Sequence, residues 1–366
     1  MKVIIVSSEF PPGPGGIADH AYNLAEQLVE KKCDVTVITE YRKEFEVQWR
    51  GLRSHAKVKY ARRGRWFSNL SFVFLFIRYF ITTRNAVWIG TGSKSLALLG
   101  VGIYLSRRRS LAILHGHEML EEHGLKSKLS KRTLQYFTKA IAVSGFSKEN
   151  SKKFIDESKI VVIPNGFNQT KYASVQGAKE RKQPTPLSLL TVGRVSKRKG
   201  QHHVVHALPL TLKNHPSALY HIVGIHEGTD LNSLVARLHL QDHVRMHGVL
   251  ADAELAPLFR HADIFMMLSE NMEDGDVEGF GIAILEANFF GTPAIGSVGC
   301  GIEQAIKEGF NGKLVPASDP VSIAAAIEEI LANYSLYSSN ATLWSHDHFW
   351  TTIINRYMDV LSSLES

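Results

Sequence analysis

Twice along this chain, short apolar runs alternate with segments of helical period, and one polar, proline-containing stretch separates the two series. The first series places strands at 3–7, 35–39, 87–90, 111–115, 140–143 and 161–163, with helices at 18–30, 94–105, 125–138 and 148–155. Pro164-Asn165-Gly166 ends it, and 176–186 is charged and contains proline, as a domain boundary does. The second series has strands at 187–192, 219–223, 244–246, 264–268, 294–295 and 313–315. Its helices fall at 201–212, 230–238, 253–261, 282–290, 301–307 and 321–332. Strands spaced by helices build parallel, doubly wound sheets. The expectation is an α/β chain of two Rossmann-like domains, 1–168 and 169–349. Residues 350–366 follow, with an amphipathic helix at 350–361 that could pack on either domain. Ligands of such sheets gather at the carboxyl ends of strands, and a cleft between two sheets is a natural active site.

Composition narrows the class. At 366 residues, 44% hydrophobic and 21% charged, the chain has the makeup of a globular protein large enough for two cores. Cys33 and Cys300 make neither a disulfide framework nor a metal pattern, so a reducing, cytoplasmic setting is expected. No signal peptide is expected, because the chain opens on a strand-like run at 2–7. The longest apolar run, 72–80, is broken by Arg78 and too short to span a bilayer. Charge is uneven: residues 1–165 hold 27 Lys and Arg against 14 Asp and Glu, a net of +13, while the rest hold 15 against 21, a net of −6. A basic half suggests an anionic partner surface, lipid or nucleic acid, unless it is simply a solvated basic face.

Candidate chemistry lies in loops that follow strands. In Glu278-Gly-Phe-Gly-Ile-Ala-Ile-Leu-Glu286, Gly279 and Gly281 let backbone amides approach a ligand, and a helix opens at Ile282. Glu286 then falls about one turn into that helix, while Glu278 stays in the loop near its positive end. Hydroxyls near both carboxylates and negative charge near the helix start would suit such a site, although an ordinary surface loop fits the spacing too. Gly193-Arg194-Val-Ser-Lys197-Arg198-Lys199-Gly200 closes the first strand of the second series. There Arg194 and Lys199 could clamp a diphosphate. Glu9-Phe-Pro-Pro-Gly-Pro-Gly15-Gly16 joins the first strand to a helix and could receive a phosphate or a sugar. It is neither the dinucleotide fingerprint nor a P-loop. His115-Gly-His117-Glu118 ends a strand. In a metal reading of His115, His117 and Glu118 the two histidines share a strand face but no third ligand follows at helical spacing, and a histidine bonding a ligand hydroxyl fits better. The acidic run 270–278 lacks calcium-loop spacing and reads as a mobile loop.

Taken in order, these elements resemble the retaining glycosyltransferases of family 4, which have the GT-B fold of two Rossmann-like domains facing across a cleft. The resemblance covers nearly the whole chain: the Pro/Gly loop, His115-Gly116, Ile163-Pro-Asn-Gly-Phe-Asn168, Gly-Arg-x4-Lys-Gly, Glu-x7-Glu and a closing helix that returns to the first domain. It implies that Arg194 and Lys199 neutralise the donor diphosphate without a metal. Glu286 would accept the ribose hydroxyls and Glu278 would meet the donor sugar. Amides of Phe280, Gly281 and Ile282 would reach sugar hydroxyls and phosphate. His115 would touch the sugar near its reacting carbon, with His117 as a rival. Gly15, Gly16 and Val249 complete the implied donor contacts. No metal and no cofactor are expected beyond the donor, a GDP-sugar or UDP-sugar.

Eight residues separate Ser269 from Glu278 where common members have two. That long acidic loop and His-Gly-His-Glu are similar to the phosphatidylinositol mannosyltransferase subgroup, which makes mannose the donor guess. Acceptors in this fold lie on the first domain, where the basic excess sits. Arg62, Arg63, Arg65, Trp66, Lys126, Lys128, Lys131 and Arg132 with the run at 72–80 could therefore dock peripherally on the inner face of the cytoplasmic membrane, toward a lipid-linked or saccharide acceptor. Nucleic acid is not the expected partner. The run at 72–80 could equally be a core helix. A nucleotide-sugar hydrolase or epimerase on the same fold, and a silent partner subunit, are the competing functions.

Overall fold

The computed structural model describes residues 1–11, 15–40, 54–61, 67–120, 125–175, 186–226, 230–273 and 276–365, the side chains of 67–69, 117, 125–126 and 173–175 excepted. They divide into two compact units, Met1–Gly166 with Trp350–Ser366, and Phe167–Phe349. The division lies two residues before the expected boundary at 168. Phe167 donates its N–H to the His348 carbonyl (3.0 Å), and its ring packs edge-on against Phe289 and Phe349.

In the first unit the strands β1 (Lys2–Ser7), β2 (Asp34–Thr39), β3 (Lys57–Tyr60), β4 (Val87–Thr91), β5 (Ser110–Leu114), β6 (Lys139–Ala142) and β7 (Ile160–Val162) form one parallel sheet. Its order is β3-β2-β1-β4-β5-β6-β7, so the winding reverses between β1 and β4. Val3 to Val6 are fully buried, as expected of a parallel strand covered on both faces. β3 was not expected. It is an edge strand whose Lys57 and Lys59 leave no apolar signal and blunt the open edge. The helices are α1 (Gly16–Glu30), α2 (Phe67–Thr82), α3 (Ser93–Ser106), α4 (His117–Leu120), α5 (Leu125–Thr133) and α6 (Gly145–Ser151).

Helix α2 answers both readings of the apolar run. Phe72 and Phe76 enter the core, while Leu70, Phe74, Ile77 and Ile81 form an outward stripe at helical spacing, Phe74 being 69% exposed. Arg78 on this helix and Arg84 two residues past its end are exposed. Arg62, Arg63, Arg65, Trp66 and the Lys126 side chain lie outside the described residues; Lys128 and Arg132 are exposed. Among the described residues no helix is long and apolar enough to cross a membrane.

The second unit repeats the plan with β8 (Ser188–Val192), β9 (Leu219–Val223), β10 (Val244–Gly248), β11 (Ile264–Met267), β12 (Ala294–Ser297) and β13 (Gly312–Val315). Its order, β10-β9-β8-β11-β12-β13, reverses between β8 and β11. Its helices are α7 (Gln201–Asn214), α8 (Leu231–Arg237), α9 (Asp252–His261), α10 (Ile282–Phe289), α11 (Pro320–Ala332) and α12 (Tyr334–Asp347). The helix expected at 301–307 is only a 3₁₀ turn, Gly301–Gln304. Gly301 is pinned there: its N–H bonds the Glu278 carbonyl (2.9 Å), and a Cβ would stand 2.1 Å from the Gly279 carbonyl oxygen. Helix α12, rich in Ser, Asn and Tyr, was also not expected, because its polar sequence shows no clean helical period.

The closing helix α13 (Trp350–Ser362) belongs to the first unit. Trp350 packs over Gly166, Arg356 donates to the Val162 carbonyl (2.8 Å), and Tyr357 reaches His20 on α1.

Candidate functional site

Ligand chemistry in a doubly wound sheet is found at the carboxyl edge beside the switch in strand order. In the second unit the segments leaving β8 and β11 therefore matter most. β8 runs into the basic turn 193–200, which makes a 3₁₀ turn at Lys197–Lys199 and then opens α7. Gly200 has φ +71°, and a Cβ there would come within 1.8 Å of the Leu268 carbonyl oxygen. Only glycine lets the basic turn lie flat on the end of β11.

The acidic loop then folds back onto that turn. The Glu270 N–H bonds the Arg198 carbonyl (2.8 Å). Arg198 donates from Nε to Asp276 (2.9 Å) and from Nη1 to Glu278 Oε2 (2.7 Å), and the Lys199 ammonium bonds the same Glu278 oxygen. Burial by itself would raise the Glu278 carboxyl, but Lys199 and Arg198 overcome it and hold the group at about 2. Glu278 raises Arg198 in turn, against the burial that would lower it. Asp276 and Glu278 thus face cations of the protein itself; Asp274 lies outside the described residues. Arg194 is exposed on the same turn, its carbonyl held by Gln201 (3.0 Å).

Downstream, Phe280 is buried, Gly281 sits at φ +89° as the N-cap, and Ile282 begins α10. Glu286, one turn further, accepts at Oε1 from the Tyr172 hydroxyl (2.9 Å) and the Lys171 ammonium (3.1 Å). Lys171 also pairs with Asp252 (3.0 Å). Burial opposes its charge, yet Glu286, Tyr172 and Asp252 together push the ammonium above its ordinary range. The Tyr172 hydroxyl is raised by burial first and then by Glu286. Val249 stands apart, 61% exposed past the end of β10, with β9 between that strand and β8.

The first unit brings its candidates to its own switch point. Gly15, with φ +130°, is the N-cap of α1, and Gly16 opens the helix; Pro12 and Pro14 lie outside the described residues. His115 follows β5 and is buried, with Nε2 2.9 Å from the Thr91 hydroxyl at the end of β4. Glu118 turns back so that one carboxylate oxygen accepts the N–H groups of His115 (3.0 Å) and Gly116 (2.9 Å). That is a turn-closing role, and it disfavours a His–His–Glu metal set. His117 begins α4, and its side chain is outside the described residues.

His20 is an addition that the sequence did not suggest. Its ring meets His115 edge-on at 5.0 Å, its Nε2 lies 2.9 Å from the Tyr357 hydroxyl, and burial lowers it to about 3, so it is neutral at physiological pH. Arg198, Lys171, Tyr172 and Thr91 are additions of the same kind. Arg198 was visible as one of four cations in the turn. The other three act through partners 24 to 115 residues away, which no local pattern reports.

Comparison with known proteins places this geometry in a family. Residues 14–171 match Glycosyltransferase Family 4, and residues 175–341 match Glycosyl transferases group 1. A stretch of 242 residues is 26% identical to WcaL of Salmonella typhimurium, provisionally named a colanic acid biosynthesis glycosyltransferase; it covers 62% of this chain and 58% of that one. The GDP-mannose-dependent alpha-(1-6)-phosphatidylinositol monomannoside mannosyltransferase of Mycolicibacterium smegmatis is 24% identical over 98% of both chains. Among solved structures, Anabaena HepE in complex with UDP and glucose has a TM-score of 0.78 at 20% identity, covering 99% of this chain and 100% of that one, which is a likeness of fold. With both halves matched in order, the chain belongs to glycosyltransferase family 4 and has the GT-B fold of two doubly wound α/β units.

Proposed function

We propose that this chain is a retaining, metal-independent hexosyltransferase that moves mannose from GDP-mannose to a lipid-linked or saccharide acceptor. The observation that carries the reading is Glu278 held by Arg198 and Lys199 at the β8–β11 switch point. A donor diphosphate offers those cations a second, more highly charged partner. As Lys199 turns to it, with Arg194 from the same turn, Glu278 is released to accept a sugar hydroxyl. The ion pair is then a placeholder that keeps the turn and the loop in register until donor arrives.

The remaining roles follow. Glu286, oriented through Oε1 by Tyr172 and Lys171, accepts ribose hydroxyls. The amides of Phe280, Gly281 and Ile282 at the start of α10 face the negative charge. His115, fixed by Thr91, meets the sugar near its reacting carbon, and Gly15 and Gly16 let the backbone approach.

In the reaction, the bond from the sugar's anomeric carbon to the diphosphate oxygen breaks while the acceptor oxygen bonds that carbon on the same face. The acceptor's proton passes to the leaving phosphate oxygen. Charge growing on the diphosphate is stabilised in place by Arg194, Lys199 and the helix amides, the role a divalent ion plays elsewhere. Glu278 is no nucleophile here: once released it accepts a sugar hydroxyl, and Glu286 serves the nucleotide.

Mannose as the sugar is supported by the GDP-mannose dependence of the mycobacterial relatives. Peripheral attachment to the inner face of the cytoplasmic membrane is supported by the basic first half and by the stripe Leu70, Phe74, Ile77 and Ile81 beside Arg78 and Arg84. The test is NMR of the product formed from ¹³C-mannosyl GDP and a membrane lipid extract. An α-mannoside is expected; a β-mannoside, or free mannose formed without any acceptor, overturns the reading.

A further inference from the structure

Just past the basic turn, the first turn of α7 carries two adjacent histidines, His202 and His203. The acidic loop begins against them with Glu270. His203 Nε2 lies 2.9 Å from Glu270 Oε1, and His202 Nε2 lies 3.9 Å from Glu270 Oε2. One ligand atom from each of the three residues falls within 4.8 Å of the others. His203 is 9% exposed, and its Nε2, though close to the carboxylate, makes no hydrogen bond in the structure.

A buried nitrogen that lies beside a carboxylate without a hydrogen bond calls for a further partner. We infer that His202, His203 and Glu270 form a binding site for a divalent transition metal of the Zn²⁺ class, distinct from the donor site and independent of the transferase reading.

The geometry is close to what such an ion needs. Ligand atoms about 2.0–2.1 Å from a tetrahedral ion stand about 3.3 Å apart, and the two observed separations bracket that figure. Two imidazoles and one carboxylate favour Zn²⁺, Co²⁺, Ni²⁺ or Cu²⁺ over Mg²⁺ or Ca²⁺, which prefer all-oxygen cages. With three protein ligands the fourth position is left for water. The imidazole rings are 3.9 Å apart, centre to centre, so two imidazolium ions would repel strongly. Arg198 and Lys199 nearby are already met by Asp276 and Glu278.

Such an ion would bolt the start of the acidic loop to α7, reinforcing the bond from the Glu270 N–H to the Arg198 carbonyl. The far end of the same loop carries Asp276 and Glu278. This assigns a use to the residues by which the loop exceeds its common length: Glu270 anchors it and Glu278 works from it.

The test is titration of tag-free, metal-stripped full-length protein with Co²⁺, read by visible absorption, and with Zn²⁺, read by thermal unfolding. One Co²⁺ per chain with d–d bands of a four- or five-coordinate nitrogen–oxygen site is expected, together with a rise in Tm on adding Zn²⁺. Loss of an outer-shell partner costs a site about 10–100-fold in affinity, so removing a ligand outright, as in His202→Ala or Glu270→Gln, costs at least that. His247→Ala, at the exposed His221–His247 pair, retains the metal. His203→Ala would also open a buried site, so the decisive variants are those at the half-exposed His202 and at Glu270. Equal Co²⁺ binding by wild type and both variants, or no uptake by wild type at micromolar metal, overturns the site and leaves an ordinary histidine–carboxylate pair.

Discussion

The two units wind their sheets alike, each reversing between its first and fourth strands, but they furnish that reversal with different chemistry. In the first unit the two histidines gathered there are buried, His115 on Thr91 and His20 between His115 and Tyr357, with the Glu118 carboxylate closing the turn on the His115 and Gly116 N–H groups. In the second the groups are charged and mutually balanced: Arg198 and Lys199 against Asp276 and Glu278, and Lys171 against Glu286 and Asp252. The overall charges run the other way, +13 over residues 1–165 and −6 over the remainder. In the first unit Arg78, Arg84, Lys128 and Arg132 are exposed. The second concentrates cations where a diphosphate would bind and neutralises them with its own carboxylates meanwhile. Topology sets where a ligand can go; the side chains there decide whether a charged or an uncharged group is received.

That contrast can be broken from either side. The largest effect is expected at Lys199. Lys199→Ala removes a donor aimed at developing charge, so kcat/KM for sugar transfer falls roughly 100- to 1000-fold, while unfolding of the first unit is unchanged. Loss of less than about fivefold would mean that the charged switch point is structural.

A second effect belongs to the first unit. His20 has a folded pKa of about 3, below its unfolded value of 6.5. Above pH 6.5 neither state is protonated and the shift costs nothing. As pH falls from 6.5 toward 3 the unfolded chain binds the proton first, and stability drops by about 1.4 kcal/mol per pH unit. His20→Gln therefore loses less stability than wild type between pH 6 and pH 4, by about 2–3 kcal/mol, measured by chemical denaturation at each pH. The Glu278 pair acts in a lower window. Its contribution is complete above about pH 4.5 and is lost as pH falls toward 2, so Glu278→Gln flattens the profile only below pH 4.5.

Smaller effects refine the picture. Phe74→Asp on the exposed stripe of α2 should weaken flotation with anionic vesicles by roughly tenfold, since a large apolar side chain contributes about 1.5–3 kcal/mol on burial. Donor binding should not change. Tyr172→Phe removes one hydrogen bond of about 1 kcal/mol from Glu286, so nucleotide affinity should fall by about fivefold with kcat nearly unchanged. A kcat effect instead would move Glu286 from the nucleotide to the reacting sugar.

Much of this arrangement was legible in the sequence. Short, β-branched runs such as Val3-Ile4-Ile5-Val6 read as covered strands, and Gly193–Gly200 and Glu278–Glu286 carry their spacing locally. What escaped depends on partners far away in the chain. β3 is four residues with two lysines and exists because β2 offers it an edge. α12 has no clean apolar period and is held by contacts such as Trp344 to the Ala305 carbonyl. Tyr172 was invisible because Glu286 lies 114 residues further on. The acidic loop was read as a mobile segment because its carboxylates lack cation-cage spacing. The groups that face them, Arg198, Lys199 and His203, come from the turn after β8 and from α7, about 70 to 80 residues earlier in the chain.

The central claim is that the cations holding Glu278 are the donor's diphosphate clamp. Isothermal titration with GDP-mannose and with GDP, for wild type, Lys199→Ala and Glu278→Gln, tests it most directly. The account predicts that wild type binds, that Lys199→Ala loses about 100-fold or more in affinity, and that Glu278→Gln, freed of the competing pair, binds GDP itself at least as tightly as wild type. Unchanged binding by Lys199→Ala, or loss of GDP binding in Glu278→Gln, would contradict it.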